Sequence, residues 1–283
     1  MEESYDNQIL YDYVCPSHGY WRHERGVVSK AIKIPLVFGD AYHQSLGTLY
    51  DGGMLMEALI TFEKLFRPYQ GLDSKRTLEK GLELVEAYKT QIFDKEEWKD
   101  LGGEKRGVLE IDKDTLYVGL LDRVGEYEGL LAPQEWKTTS WYQPFISRPN
   151  NQITGYAFIT QTLFGIKVAG AIVTVAKIKS STKGYTPVKT TKAGAISGGE
   201  SILSRDFTLR ETWDYEQFLK DVKGQVGRIR KYREENYWPK QTNWCQSYGG
   251  CPYLSLCGSP EATHPFLLAE GFEESRWVAG KGE

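Results

Sequence analysis

The chain has 283 residues and a formal net charge of −3, which is length enough for one large domain or two modest ones with a core that folds without staples. That charge excludes a protein coated in nucleic acid while leaving room for a local basic groove. Hydrophobic residues make up 40% and charged residues 26%, an ordinary globular balance. The absence of any apolar run of membrane-span length, together with the acidic start Met1-Glu2-Glu3-Ser4, leads to the expectation of a cytoplasmic protein with no membrane partner.

Taken in order, residues 11–25 mix aromatic and basic side chains around Cys15. Gly39 to Gly47 opens an expected helix that continues past Gly52-Gly53 to Phe66. Asp73 or Ser74 is expected to cap a second helix, because Leu78, Leu82, Val85, Tyr88 and Ile92 recur at helical spacing. Strands are expected over Gly107–Ile111, Leu116–Val124 and Leu130–Lys137, the last two joined by a turn over Gly125–Gly129. A helix from Asn151 to Phe164 follows, then a β-rich run over Ile166–Ala176. Residues 177–200 carry Lys177, Lys179, Lys183, Lys189 and Lys192 with almost no acid, as a basic flap for a polyanion or as a plain insertion. Ser204–Leu209 reads as a strand and Asp214–Asn236 as a helix with Phe218, Val222, Val226 and Ile229 on one face. Helix, three strands, helix, strand is the order of an α/β sandwich, a mixed sheet with helices covering its faces.

The chemistry concentrates around Gly119–Ser140. Side chains alternate along a strand, so Glu135 and Lys137 share one face and Trp136 takes the other; Asp122 would face the pair from the neighbouring strand. Two carboxylates and an ammonium at a strand end suit a hard divalent cation, Mg2+ or Mn2+, and a water to be activated. The same residues also suit a solvated face with cross-strand ion pairs. The apolar run before Asp122 points to burial, where an ionised carboxylate needs a partner or a metal. Gln152 and Tyr156, at i and i+4, share a helix face that could grip a phosphate or a base, or do so by accident. His43 is either an ordinary surface or core histidine or a further ligand for Mn2+. Four cysteines, Cys15 and the evenly spaced Cys245, Cys251 and Cys257, match the count for an iron–sulfur cluster or an all-cysteine zinc site. Either would tie the two chain ends together.

Together these segments resemble the RecB-like branch of the PD-(D/E)XK nuclease superfamily, in the iron–sulfur form of CRISPR-associated RecB-like exonucleases and AddB-type nucleases. His43 with Gly47 is similar to the N-terminal helix motif and Gly119-Leu-Leu-Asp122 to the G-x-x-D strand. Glu135-Trp136-Lys137-Thr138-Thr139-Ser140 is similar to the E-x-K-T-S strand, Gln152-x-x-x-Tyr156 to the Gln-x-x-x-Tyr signature, and Cys15-Pro16-x-x-x-Tyr20-x-Arg22 to the motif of the first cluster ligand. The chain departs from the family's commoner pattern in the wider first gap of its C-terminal cysteines, which keeps structural Zn2+ as an alternative.

The resemblance implies a single nuclease domain over 1–283. Its restriction-endonuclease-like αβββαβ core would run over about 38–236, with a cluster staple formed by about 11–25 and 240–260. It implies a Mg2+- or Mn2+-dependent deoxyribonuclease, an exonuclease on single-stranded DNA or DNA ends, serving recombination, repair, phage DNA processing or CRISPR adaptation. Catalysis would fall to Asp122, Glu135 and Lys137, with metal held by His43, Asp122, Glu135 and the Trp136 backbone carbonyl. A 4Fe-4S cluster would sit on Cys15, Cys245, Cys251 and Cys257. DNA would be gripped by Gln152, Tyr156 and the Lys177, Lys179, Lys183, Lys189 and Lys192 segment, and a helicase, recombinase or CRISPR integrase would be the protein partner. The competing expectation is a non-catalytic DNA-end-binding or assembly subunit that keeps the fold and cluster; the intact set Asp122, Glu135 and Lys137 favours the enzyme.

Overall fold

The computed structural model describes residues 2–140, 148–178, 202–246 and 250–280, with 189–190 and 196–197 as backbone only. Lys179, Lys183 and Lys192 lie outside the described residues, and of Lys189 only its strand position is described. In chain order the elements are β1 (Glu3–Tyr5), α1 (Asn7–Asp12), the single turn α2 (Pro16–Gly19), β2 (Val27–Ser29), α3 (Ile34–Tyr50), α4 (Leu55–Phe66) and α5 (Leu78–Tyr88). There follow β3 (Trp98–Asp112), β4 (Thr115–Tyr127), β5 (Leu130–Thr139), α6 (Asn151–Phe164) and β6 (Gly170–Lys177). The remainder comprises β7 (Lys189–Thr190), β8 (Ile196–Ser197), β9 (Leu203–Leu209), α7 (Thr212–Glu235), α8 (Leu254–Cys257), α9 (His264–Gly271) and β10 (Phe272–Glu274).

The long helix expected from Gly39 to Phe66 is two helices. α3 starts earlier, at Ile34, because Pro35 is suited to a first helical turn. It stops at Tyr50, since Gly52 takes a φ of +89° that breaks the helix. α4 restarts behind Met54, whose backbone N–H donates to the Glu57 carboxylate at 2.7 Å. The cap of α5 is Thr77, accepting from the Lys80 N–H at 3.2 Å. Asp73 is unavailable for that role because its carboxylate closes the preceding turn onto the N–H groups of Lys75 and Arg76.

The strands are longer than expected. β3 begins at Trp98 rather than Gly107 because it is an edge strand, hydrogen-bonded to β4 alone. Its first half therefore carries polar residues such as Lys99, Glu104 and Lys105 without the apolar alternation that marks a covered strand. The β4–β5 turn is the two residues Glu128 and Gly129, both at positive φ (50° and 78°), the backbone a tight twisted hairpin demands.

One row of the sheet runs β3-β4-β5-β6-β9, and β1 lies parallel against β4 at Thr115–Tyr117. The β5–β6 pair is parallel; the other pairs in the row are antiparallel. The result is a mixed sheet flanked by helices. An aromatic-rich core on one face joins α3, α4 and α5 to Trp136 through Phe38, Tyr42, Phe62, Phe66 and Tyr88. On the other face Tyr117, Ile159, Phe218, Val222 and Val226 join the sheet to α6 and α7. The chain ends meet separately: β2 pairs antiparallel with β10, over a small cluster of Trp21, Val27, Tyr253, Leu256 and Phe272. No helix among the described residues is long and apolar enough to cross a membrane.

α6 lies close to the sheet because Gly107 and Gly119, register partners on β3 and β4, leave a flat seat for it. A Cβ on Gly107 would stand 2.0 Å from Ile159 Cγ2, and one on Gly119 would stand 2.6 Å from Ile159 Cδ1 and 3.2 Å from the Tyr156 ring. Gly107→Ala is expected to cost about 1–3 kcal/mol by overpacking, read from chemical denaturation; a loss below about 0.5 kcal/mol, the range of neutral surface changes, would show that α6 does not need this seat.

Candidate active site

The β4–β5 ladder pairs Arg123–Tyr127 with Leu130–Gln134 and then stops. β5 continues along β6 to Thr139, while the corresponding edge of β4 turns to β1. Between them the two strands fork, and Asp122 stands at the fork. Leu121 packs into the core beneath α6 and α7, whereas Arg123 reaches Asp51 and the Tyr50 ring on the α3 side. The strict alternation of β4 is thus interrupted at Asp122. Its Oδ2 accepts the Trp136 backbone N–H at 3.0 Å, a donor that would otherwise lack a strand partner in the fork. The N–H and C=O of one strand residue point to the same neighbour, so the Trp136 carbonyl faces the fork as well. His43, one turn before Gly47 on α3, brings Nδ1 to 3.4 Å from Asp122 Oδ1.

Glu135 and Lys137 share a face of β5, with Lys137 Nζ 2.5 Å from Glu135 Oε1. α6 presents Gln152, whose amide donates to Glu135 Oε1 at 3.3 Å and to the Tyr156 hydroxyl at 3.1 Å. The second Glu135 oxygen, Oε2, is buried and has no hydrogen-bond partner among the described residues. The structure therefore brings His43, Asp122, Glu135, Trp136, Lys137, Gln152 and Tyr156 to one place. Lys177 ends β6 opposite Thr139, and its charge acts on Asp206.

Electrostatics separate the two carboxyls. Burial works to raise the pKa of Asp122, but His43, the Trp136 N–H and Lys137 outweigh it and hold the group below its usual range. Burial and the neighbouring Asp122 charge push Glu135 up to about 7, against the opposing pull of Lys137 and His43. Burial disfavours the Lys137 ammonium, yet Glu135 outweighs burial and raises its pKa. Burial would likewise lower His43, and Asp122 reverses that.

Among the described residues no three His, Cys, Asp or Glu side chains are grouped so as to hold a metal ion. The chemistry of the donors nevertheless fits a hard cation: an unpartnered buried carboxylate oxygen on Glu135, an ionised Asp122 and an imidazole.

The four cysteines line one cavity of about 190 Å³ at the joined chain ends. All four thiols are free. Burial, with the neighbouring thiols adding to it, raises Cys251, and it raises Cys257 in the same way. His18 also lines this cavity, with Nδ1 3.7 Å from Cys251 Sγ. Sequence reasoning missed it, although Cys15-Pro-Ser-His18 carries the signal, an imidazole one helical turn after a cysteine.

Sequence reasoning also missed the network behind Trp136. The indole N–H donates to the Tyr88 hydroxyl at 3.1 Å, and Gln134 donates to the same oxygen at 2.7 Å. Tyr50 donates to Glu96 at 2.5 Å, and Arg205 donates to Gln134 at 3.2 Å and also to Glu96. These residues come from five separate elements and loops with no shared spacing, so no local pattern announces them.

No protein-family profile matches the chain, and no curated protein matches it. Among solved structures it is similar to a crystal structure of a protein from Eubacterium rectale provisionally assigned as an exonuclease, with a TM-score of 0.51, 11% sequence identity and 85% of each chain covered. At that identity the likeness establishes a shared fold over most of both chains.

Because its folded-state pKa is raised, Glu135 contributes stability that is complete below about pH 4.5 and is lost as pH rises through about 7. Denaturation of metal-free protein across pH 4–8 should show that slope in the wild type and a shallower one in Glu135→Gln. Coincident slopes would mean that the buried carboxyl ionises normally.

Proposed function

We propose that the chain is a Mg2+- or Mn2+-dependent deoxyribonuclease of the PD-(D/E)XK type, acting on single-stranded DNA or DNA ends. The observation that carries this reading is the fork: Asp122 stands against β5 at Trp136 and its charge acts on Glu135, Lys137 lies on the same face as Glu135, and one buried Glu135 oxygen lacks a partner among the described residues. The shared fold with a provisionally assigned exonuclease supports it.

Asp122, Glu135, His43 and the Trp136 carbonyl would hold the metal. When bound, such an ion lowers the pKa of a coordinated water and neutralises charge on the phosphate. Lys137, kept as an ammonium, donates hydrogen bonds and supplies positive charge where the phosphate gathers negative charge during attack. Gln152 fixes the Glu135 carboxylate from the α6 side and, with Tyr156, lines the approach to it. Asp122 is held against β5 by the N–H of Trp136, the residue between Glu135 and Lys137.

The cysteine cavity is read as a metal site in the same proposal. Its four thiols line one cavity, the number that a 4Fe-4S cluster or an all-cysteine zinc site needs. A cluster there would staple residues 11–25 to 240–260 within a single domain.

Cleavage of end-labelled single-stranded and duplex DNA with Mn2+ or Mg2+ tests the reading. Lys137→Ala should lower metal-dependent cleavage by about 10²–10³-fold, the scale for removing one transition-state donor, while leaving metal binding largely intact. Asp122→Ala should lose both. Absence of cleavage by folded, metal-loaded wild type that still binds DNA would replace the enzyme with a DNA-end-binding subunit.

A further inference from the structure

His18 lines the cysteine cavity, and a buried carboxylate stands behind it. Asp12, at the end of α1, is buried with only 3% exposure, and its carboxylate serves two imidazoles. Oδ2 lies 2.9 Å from His23 Nε2, and Oδ1 lies 3.5 Å from His18 Nε2. Gln8 donates to Oδ1 at 2.7 Å, which fixes the carboxylate from a third side. With one ring nitrogen turned toward Asp12, the other nitrogen of His18 faces Cys251 Sγ at 3.7 Å. Tyr253 packs edge-on against the His18 ring at 4.9 Å and is itself pinned by donating to the Val27 carbonyl at 2.7 Å. The imidazole is thus held between a carboxylate, a thiol and an anchored aromatic ring.

We propose that Asp12 and His18 form an outer shell for the metal group of the cysteine cavity: His18 Nδ1 takes up the proton that Cys251 gives up on binding metal and donates it back to the thiolate as a hydrogen bond, while Asp12 faces the other ring N–H. The proposal rests on reading the cavity as a metal site. Groups that bond to a ligand atom without touching the metal orient that ligand and are worth roughly tenfold to a hundredfold in metal affinity; hydrogen bonds to cluster sulfurs also set how the cluster behaves electronically. His18 and Asp12 are therefore positioning residues, linking α1 at one chain end to the cysteine loop at the other.

The test uses the full chain purified without oxygen. Iron, acid-labile sulfide and zinc are quantified, the visible absorbance is recorded, and metal release to an excess of chelator is timed. His18→Phe keeps the ring and its contact with Tyr253 but removes both nitrogens; release should quicken about tenfold to a hundredfold. His18→Asn returns a polar atom near the place of Nδ1 and should restore release to within a few-fold of wild type. Asp12→Asn, which leaves every ring in place, should also quicken release, and it decides the matter if His18→Phe does not fold. Wild type that carries neither iron nor zinc would sink the metal reading of the cavity and this proposal with it. Metal-loaded protein whose release and spectrum are unmoved by His18→Phe and Asp12→Asn would overturn this proposal alone.

Discussion

The structure depends on a buried carboxylate that is only half satisfied. Glu135 is 3% exposed, yet one of its oxygens bonds Lys137 and Gln152 and the other bonds nothing among the described residues. Burying an ion costs several kcal/mol unless its lone pairs are met. Here the cost is met in part by the Lys137 ammonium and in part by protonation, since the group titrates near neutrality. In the proposed reading a divalent cation is the partner whose charge would satisfy both carboxyls at once.

The rest of the fold holds that fork open at a fixed width. Asp122 takes the Trp136 N–H and so links the two strands after their ladder has ended. Behind the site, Trp136 is held in the α3–α5 core by a tilted ring contact with Tyr50, an edge-on contact with His43 and its bond to Tyr88. In front, the paired glycines Gly107 and Gly119 let α6 descend until Gln152 reaches Glu135. β5 is thereby held from the α3–α5 side at Trp136 and from the α6 side at Glu135, which fixes the strand on which Glu135 and Lys137 stand.

The elements that strong apolar periodicity marks were legible in the sequence. The bounds of α6 are those expected, Asn151–Phe164, because Asn150 caps it and Gly165 ends it at positive φ. β5, β9 and α7 lie within a few residues of expectation. The failures have physical causes. α3 and α4 looked continuous because Gly52-Gly53 interrupts a hydrophobic pattern without altering its period. Half of β3 was invisible because an edge strand needs no apolar face. The site residues His43, Asp122, Glu135, Lys137, Gln152 and Tyr156 were singled out by type and spacing, and the structure gathers them. What spacing could not show is the break in alternation at Asp122, the orphaned Glu135 oxygen, or the network of Tyr50, Tyr88, Glu96, Gln134 and Arg205 that only tertiary packing assembles.

The cysteines teach a similar lesson at longer range. Cys15 and Cys257 are far apart in the chain, yet the β2–β10 pair and the Tyr253 anchor bring their segments to one cavity. The central claim concerns the fork, and diffraction from crystals grown with Mn2+, measured for its anomalous signal, tests it most directly. The account predicts a manganese peak between Asp122 and Glu135, with Lys137 drawn away from Glu135 Oε1. An intact Lys137–Glu135 pair with no peak at the fork would contradict it.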